Sequence, residues 1–323
     1  MPRVSVRVLE DRARAARDLL RPCRLCPRRC GADRLAGGKG WCGAKKELEV
    51  ASVVIHRGEE PVLGGSAGVG NVFLAHCNLA CVFCQNHQIS QTAKRFRTEP
   101  AVLAQNLLDL QAAGCPTIGF VSPSHYVPQI LETLVIAVRR GLDRPLIYNS
   151  NGYDSVETLE LLDGIFDIYL PDFKYGGDEE ARACSDAPGY VEAALAAIKE
   201  MFRQAGPLET GSAGTAVRGV LVRHLVLPND MSRTGEALLL LTRGISPDIS
   251  ISLMSQYNPL HRAMEFPLLS RRLREREYEA ALEALEEAGL REGFVQDPLS
   301  SPGEYLPDFD RANPFDRYQV KET

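Results

Sequence analysis

No run of apolar residues in this chain approaches the ~20 that a bilayer-spanning helix requires, so neither a membrane span nor a membrane partner is expected. Lysine is scarce: seven residues against 30 arginines, which reads as compositional bias rather than a site. An excess of positive charge is also missing. Lys and Arg number 37 against 42 Asp and Glu, a net charge of −5, and nucleic acid is therefore not the expected partner, because phosphate binding calls for a basic face. There is no internal repeat and no low-complexity tract. The N-terminal segment through Arg17 is charged throughout and lacks the apolar stretch of a secretory signal, which points to the cytoplasm. What remains is an ordinary globular composition, 45% hydrophobic and 24% charged with 27 Gly and 20 Pro, and it excludes collagen-like, disordered and disulfide-scaffold classes. A length of 323 residues accommodates one large domain plus a small module, or two domains.

Nine cysteines stand out against this background. Thiols stay reduced in a cytoplasmic compartment, so metal ligation or catalysis is a better reading than disulfides. Their positions form two groups, 23, 26, 30 and 42, then 77, 81 and 84, with Cys115 and Cys184 left over as small apolar residues. Residues 1–47 divide into a short helix and a Gly-, Arg- and Cys-rich segment with too few apolar residues for its own core, and a metal is the expected staple. From residue 48 to 297 apolar runs at 71–76, 117–122, 145–150, 166–172, 219–228 and 249–256 alternate with helical periodicity. Thr98 is expected to cap the first of these helices, and Gly289 to stop the last. Six strand–helix units imply parallel β/α topology, with ligands at the carboxyl ends of the strands. Residues 298–323 read as an irregular tail packed over the surface.

The first apolar run leads directly into Cys77-x3-Cys81-x2-Cys84. Three cysteines in a strand-end loop can converge on one metal centre, and three thiolates leave a [4Fe–4S] cubane with one iron open. A closed zinc site completed by His76 or His87 is the alternative. The triplet, with Phe83 just before its third cysteine, resembles the signature of the radical S-adenosylmethionine (SAM) superfamily. The stretch Cys84-Gln85-Asn86-His87 resembles the Cys-His-Asn segment of pyruvate formate-lyase activating enzymes, in particular activating-enzyme-like proteins with an extra N-terminal cysteine module. The resemblance, over about residues 20–300, implies an α/β fold, a partial (β/α)6 barrel with a small metal-stapled N-terminal module. It implies a [4Fe–4S] cluster on Cys77, Cys81 and Cys84, with SAM bound at the open iron. One electron from a flavodoxin- or ferredoxin-type donor would then release a 5′-deoxyadenosyl radical that abstracts a substrate hydrogen.

The remaining strand ends supply candidate cofactor contacts. Where the superfamily commonly carries Gly-Gly-Glu to hold the methionine amine, this chain reads Ser122-Pro123-Ser124-His125, with His125 equally readable as a helix cap. Asn149-Ser150-Asn151-Gly152 resembles the activating enzymes' Asp-Thr-Asn-Gly, and Asp172-Phe173-Lys174 their Asp-x-Lys. Residues two apart on a strand share a face, so Asp172 and Lys174 can reach one ligand, or form an ordinary ion pair. Arg223 in an apolar strand needs an anion, either a bound carboxylate or Asp172. Gln256 and Tyr257 fall near the adenine or the substrate, with core packing the other reading for Tyr257. Cys23, Cys26, Cys30 and Cys42 form a complete ligand set for a second iron–sulfur cluster or for zinc. Three functions are compatible: an activase that places a radical on a glycine of a partner protein, a radical enzyme acting on a small molecule, peptide or other macromolecule, and a non-catalytic metal-binding protein. Polar groups converging at four strand ends argue against the last.

Overall fold

The computed structural model describes residues 4–92, 96–297 and 306–315. In chain order the elements are α1 (Val6–Asp18), β1 (Glu49–His56), α2 (Pro61–Gly64), β2 (Val69–Leu74), α3 (His87–Ser90), β3 (Phe96–Arg97), α4 (Pro100–Ala112), β4 (Ile118–Val121), α5 (Val127–Arg139), β5 (Leu146–Ser150), α6 (Val156–Glu160), β6 (Ile168–Pro171), α7 (Asp178–Ser185), α8 (Tyr190–Ala205), β7 (Glu209–Thr210), β8 (Ala216–Leu225), α9 (Thr234–Gly244), β9 (Ser250–Met254), α10 (Glu275–Glu287) and β10 (Gly293–Val295). The sheet runs β10-β9-β8-β6-β5-β4-β2-β1-β3, with β7 attached to β8. Every pairing from β2 through β10 along this path is parallel, whereas β1 and β3 are antiparallel additions at the other edge. The path does not close on itself, so the α/β architecture is a partial barrel.

All six expected strands are present. The sequence reading lacked β10, which is three residues long, and β1, which precedes the first expected strand. Two smaller corrections concern α4 and β4. Glu99, not Thr98, occupies the N-cap of α4, and the Thr98 hydroxyl instead donates to the Phe96 carbonyl at 3.0 Å. Cys115, which the sequence places at the start of this strand after Gly114, lies buried ahead of β4 instead.

Strand alternation divides the core into two layers. Leu146, Tyr148, Tyr169, Val220 and Val222 face the helices. Their neighbours Ile147, Ile168, Leu170 and Leu221 face the lumen, where they pack on Val69, Val62 and Leu63. The short α2 thereby seals one end of the barrel. Leu63 is fully buried, and truncating such a residue to Ala costs about 2–5 kcal/mol. The next inward positions towards the carboxyl ends are polar: Asn149 follows Ile147, Asp172 follows Leu170, and Arg223 follows Leu221. Register keeps them together, since Val121 pairs with Asn149 and Asp172 forms a bridge with Arg223.

Residues 21–47 have almost no regular structure and wrap over this end of the barrel. Leu19, Leu20, Cys23 and Leu25 make a small core with Leu35 and Leu161. The segment is anchored by fully buried Arg34, which donates to the carbonyls of His125 at 2.7 Å and Lys45 at 2.6 Å. Of the expected tail, residues 298–305 and 316–323 lie outside the described residues. Within 306–315, Phe309 and Phe315 pack on Phe73, with ring centroids 5.4 and 5.6 Å away. No helix among the described residues is long and apolar enough to cross a membrane.

Candidate active site

The loop carrying Cys77, Cys81 and Cys84 follows β2 and is fixed by backbone bonds to the end of α7: Ala80 N–H to Ser185 at 3.0 Å, Val82 N–H to Cys184 at 2.8 Å. Each sulfur has a polar neighbour. Asn151 Nδ2 donates to Cys77 Sγ at 3.3 Å, Ser185 Oγ donates to Cys81 Sγ at 2.9 Å, and Cys84 Sγ lies 3.3 Å from Ser90 Oγ. Burial, reinforced by the neighbouring thiols, pushes Cys77 up to about 12 and Cys84 up to about 11. Such thiols stay protonated until a cation displaces the proton, and metal binding does so.

All three cysteines open on one cavity of about 450 Å³, which is also lined by Asn86, Ser122, Asn149, Ser150, Asp172, Lys174, Arg223 and Gln256. Phe83 and Tyr257 line it as an edge-to-face pair at 5.7 Å, while the Tyr257 hydroxyl is spent on the Leu269 carbonyl at 2.6 Å. Lys174 Nζ donates to Asp172 Oδ2 at 2.5 Å. Burial works against the Lys174 ammonium, but the facing carboxylate overrides it and holds the pKa above its ordinary value. Asn86 Oδ1 is buried with no hydrogen-bond partner among the described residues, leaving an acceptor for a ligand. Gly152 makes the close approach possible. Its φ is +78°, and a Cβ there would lie 2.2 Å from the Asp172 carbonyl oxygen. Three thiols with polar support, beside unspent polar groups in one cavity, fit a three-cysteine [4Fe–4S] cluster and a polar cofactor next to it.

Several expected roles change. Arg223 pairs with Glu59 and Glu60, not with Asp172; its Nε donates to Glu60 at 2.8 Å. Those carboxylates come from the loop before α2, and burying the guanidinium unpaired would be costly. Glu59 is held down at about 2: burial opposes its charge, but the Arg223 guanidinium prevails. Ser124 is buried beside Asp154 and Tyr148, away from the cavity lining, because the chain turns into a 3₁₀ segment at that point. His125 caps no helix; its ring bonds the Ala75 carbonyl at 2.8 Å, and burial pushes its pKa down to about 3. Neither zinc-completing histidine reaches the cavity: His76 donates to Glu49 at 2.5 Å, and His87 stacks on His261. Ser185, Ser90, Glu59 and Glu60 had no signal in the sequence, whereas Asn151 stood inside a motif already singled out.

The N-terminal cysteines also come together. Cys30 lies within electrostatic reach of Cys23, and Cys42 within reach of Cys23, Cys26 and Cys30. Arg34 sits among Cys23, Cys30 and Cys42. Cys26 lies beside the side chain of Asn78, which takes a hydrogen bond from Asn151 at 2.8 Å and lies 4.0 Å from Cys77 Sγ. One side chain thus separates the two cysteine groups. Among the described residues no three His, Cys, Asp or Glu side chains close tightly enough to hold a single metal ion.

Comparison with known proteins agrees with this geometry. Residues 71–224 match the family model described as the radical SAM superfamily. An uncharacterised protein of Methanocaldococcus jannaschii is 30% identical over 298 residues, covering 89% of this chain and 81% of that protein. The fold resembles that of HydG, a maturase of the [FeFe]-hydrogenase, with a TM-score of 0.50 and 12% identity over 91% of this chain. The chain spans 58% of HydG, so the likeness is one of fold alone. Methylornithine synthase (PylB) aligns with a TM-score of 0.46 and 15% identity, covering 98% of this chain and 84% of that one.

Proposed function

The chain belongs to the radical SAM superfamily, and from that premise we propose that it is an activating enzyme that abstracts a hydrogen from a glycine Cα of a partner polypeptide. Enzymes of this superfamily carry a [4Fe–4S] cluster, bind SAM and typically take one electron from a donor. When bound, these groups supply a 5′-deoxyadenosyl radical by reductive cleavage of SAM. The residues of this chain supply everything else. Cys77, Cys81 and Cys84 would hold the cluster; Asp172, Lys174 and Asn149 would orient the cofactor; Ser122, whose φ of +56° turns the chain at the end of β4, replaces the usual glycines.

The observation that carries the reading is the shared cavity, in which three thiols meet polar side chains from the ends of β5 and β6. The missing Gly-Gly-Glu and the added cysteine module favour a second reading, a radical enzyme acting on a small molecule, a peptide or another macromolecule. For the N-terminal module we favour an iron–sulfur cluster over zinc. The spacing Cys23-x2-Cys26-x3-Cys30-x11-Cys42 is not the paired C-x2-C pattern of a zinc ribbon. A reducing cytoplasm suits nine free cysteines.

Anaerobic reconstitution tests the reading, with iron, sulfide and zinc measured per chain and 5′-deoxyadenosine assayed with SAM and reductant. Cys81→Ala should abolish both the oxygen-labile cluster signal and 5′-deoxyadenosine; a variant that still cleaves SAM would refute the cluster assignment. A glycyl-radical signal in a co-incubated partner separates the two substrate classes.

A further inference from the structure

The sheet path leaves the barrel open on one side, between β10 at one end and β1 and β3 at the other. Phe294 of β10, His56 of β1, Phe73 of β2, and Leu306, Pro307 and Phe315 line the same cavity as the three thiols. Residues 306–315 therefore complete the wall that the strands leave unfinished. They are seated by two aromatic rings and a glutamine. Phe309 is buried with Phe73 and Ile89, and Phe315 packs on His56 with ring centroids 3.9 Å apart. Gln88 of α3 grips the backbone and a side chain: its Oε1 accepts from the Phe309 N–H at 2.9 Å, and its Nε2 donates to Asp310 Oδ2 at 3.1 Å. The Asp308 N–H donates to the Pro314 carbonyl at 2.9 Å, which closes the segment into a compact loop of its own.

This seat stands apart from the main core. Phe73, Ile89 and Phe309 form a small cluster separate from the one that packs the helices on the sheet, and within 306–315 only Phe309 and Pro314 are buried. A segment with so few buried contacts opens locally, at a free energy well below that of global unfolding. The cavity behind it measures about 450 Å³, towards the lower end of the ~300–1,000 Å³ of small-ligand sites. That is room for one ligand of SAM's size, but not for SAM together with a segment of polypeptide. We propose that residues 306–315 are a displaceable side wall that sets which substrates reach the cavity: seated, it admits a ligand of SAM's size, and lifted, it opens the barrel to a polypeptide. Lifting also uncovers His56, whose Nδ1 is buried with no hydrogen-bond partner among the described residues, as a contact for the incoming chain. The inference rests on the radical SAM reading, because it takes this cavity as the reaction chamber.

The test follows the reconstituted full chain by hydrogen exchange and by loss of cluster iron to two chelators, phenanthroline and the bulkier bathophenanthroline disulfonate. Peptides covering 306–315 should exchange at least a hundredfold faster than β5, a buried strand at the centre of the sheet. Phe309→Ala and Gln88→Ala should each speed exchange of 306–315 about tenfold and leave β5 unchanged. Both should raise iron loss to the bulky chelator several-fold, while iron loss to phenanthroline and the Kd for SAM stay at the wild-type values. Arg276→Ala on α10 should alter none of these. Exchange of 306–315 at the rate of β5, or loosened variants that lose iron to the bulky chelator no faster than the wild type, overturns the proposal. Phe309→Leu takes the place of Phe309→Ala if β5 exchanges faster in the latter. If the wild type assembles no cluster, the radical SAM reading itself fails, and the rate at which a bulky maleimide labels Cys77, Cys81 and Cys84 in the same variants still decides the side wall.

Discussion

Ser185→Ala removes one hydrogen bond from one cluster ligand and leaves the cysteines untouched. Ser185 Oγ lies 2.9 Å from Cys81 Sγ and 2.5 Å from the Tyr175 hydroxyl, and both Ser185 and Tyr175 are fully buried. A serine has a single hydroxyl proton; with that proton on sulfur, Tyr175 must be the donor to Ser185. A hydrogen bond to a charged acceptor contributes about 1.5–3 kcal/mol. Only the part that differs between oxidised and reduced clusters moves the potential, and reduction places more negative charge on the sulfurs, so the bond favours the reduced form. If roughly a third is differential, 0.5–1 kcal/mol is lost, and at about 59 mV per tenfold change for one electron the midpoint falls by roughly 20–40 mV. The Tyr175 hydroxyl also loses its acceptor, at a cost of about 1–3 kcal/mol in stability. A potentiometric titration followed by electron paramagnetic resonance reads the first effect, and urea unfolding reads the second. Tyr175→Phe provides the control, since it leaves the bond to sulfur in place and should shift the midpoint by less than half as much. A Ser185→Ala midpoint that is unchanged or raised, with iron content intact, would refute the reasoning.

Lys174→Ala and Asp172→Ala should each weaken SAM binding by some 10- to 100-fold, the loss of one charge-assisted contact, without changing iron content. Equilibrium binding measures this, and unchanged affinity in both would move the cofactor elsewhere. Replacing Cys26 and Cys42 together should lower total metal and expose residues 21–47 to proteolysis while sparing the spectral shift that SAM causes at the Cys77–Cys84 cluster; loss of that shift in a folded variant would refute the independence of the two sites. His224 is buried, donates from Nδ1 to the Phe173 carbonyl at 2.6 Å and meets Thr234 at 3.0 Å, and burial pushes its pKa down to about 4. Between its unfolded value of about 6.5 and that folded value the unfolded chain binds a proton that the folded one does not, so stability falls as pH drops through this window, by about 2 kcal/mol at pH 5. Urea midpoints from pH 7 to 5 check this, and His224→Asn should flatten the slope.

The six central strands were legible because parallel strands covered on both faces are written as near-continuous apolar runs. Their ends follow from the same property, since Asn149, Asp172 and Arg223 each interrupt such a run on its inward side. β1 was missed because only Val50 of its eight residues is fully buried, which leaves no apolar contrast to read. β10 was missed because three residues with Gly293 at the start carry no periodicity. At the site, the cysteine triplet and the Asp172–Lys174 pair lie close in sequence, and local spacing exposes them. Ser185 meets Cys81 across 104 residues, and Glu60 meets Arg223 across 163. No local pattern encodes such contacts. Sequence reasoning correctly demanded an anion for Arg223 but had no means of finding the acidic loop before α2.

The acidic loop changes the charge logic of the cavity. Its ionisable lining, apart from the cysteines and His56, is Glu59, Glu60, Asp172, Lys174 and Arg223, three carboxylates against two cations. His56 does not restore the balance, because burial lowers its pKa and favours the neutral ring. Arg223 is committed to the two glutamates, and Lys174 is matched by Asp172, so the cavity beside the three thiols has a net negative lining. A low-dielectric cleft of one sign concentrates ligands of the opposite sign. SAM carries a sulfonium charge that no change of pH removes, together with an ammonium and a carboxylate, and is a net cation. Its carboxylate would meet Lys174, which has one carboxylate partner in Asp172, more readily than Arg223, which is held by both Glu59 and Glu60. The demethylated or cleaved products lose the sulfonium charge and with it the attraction to this lining, so the same acidic floor that favours the cofactor disfavours what remains after its cleavage.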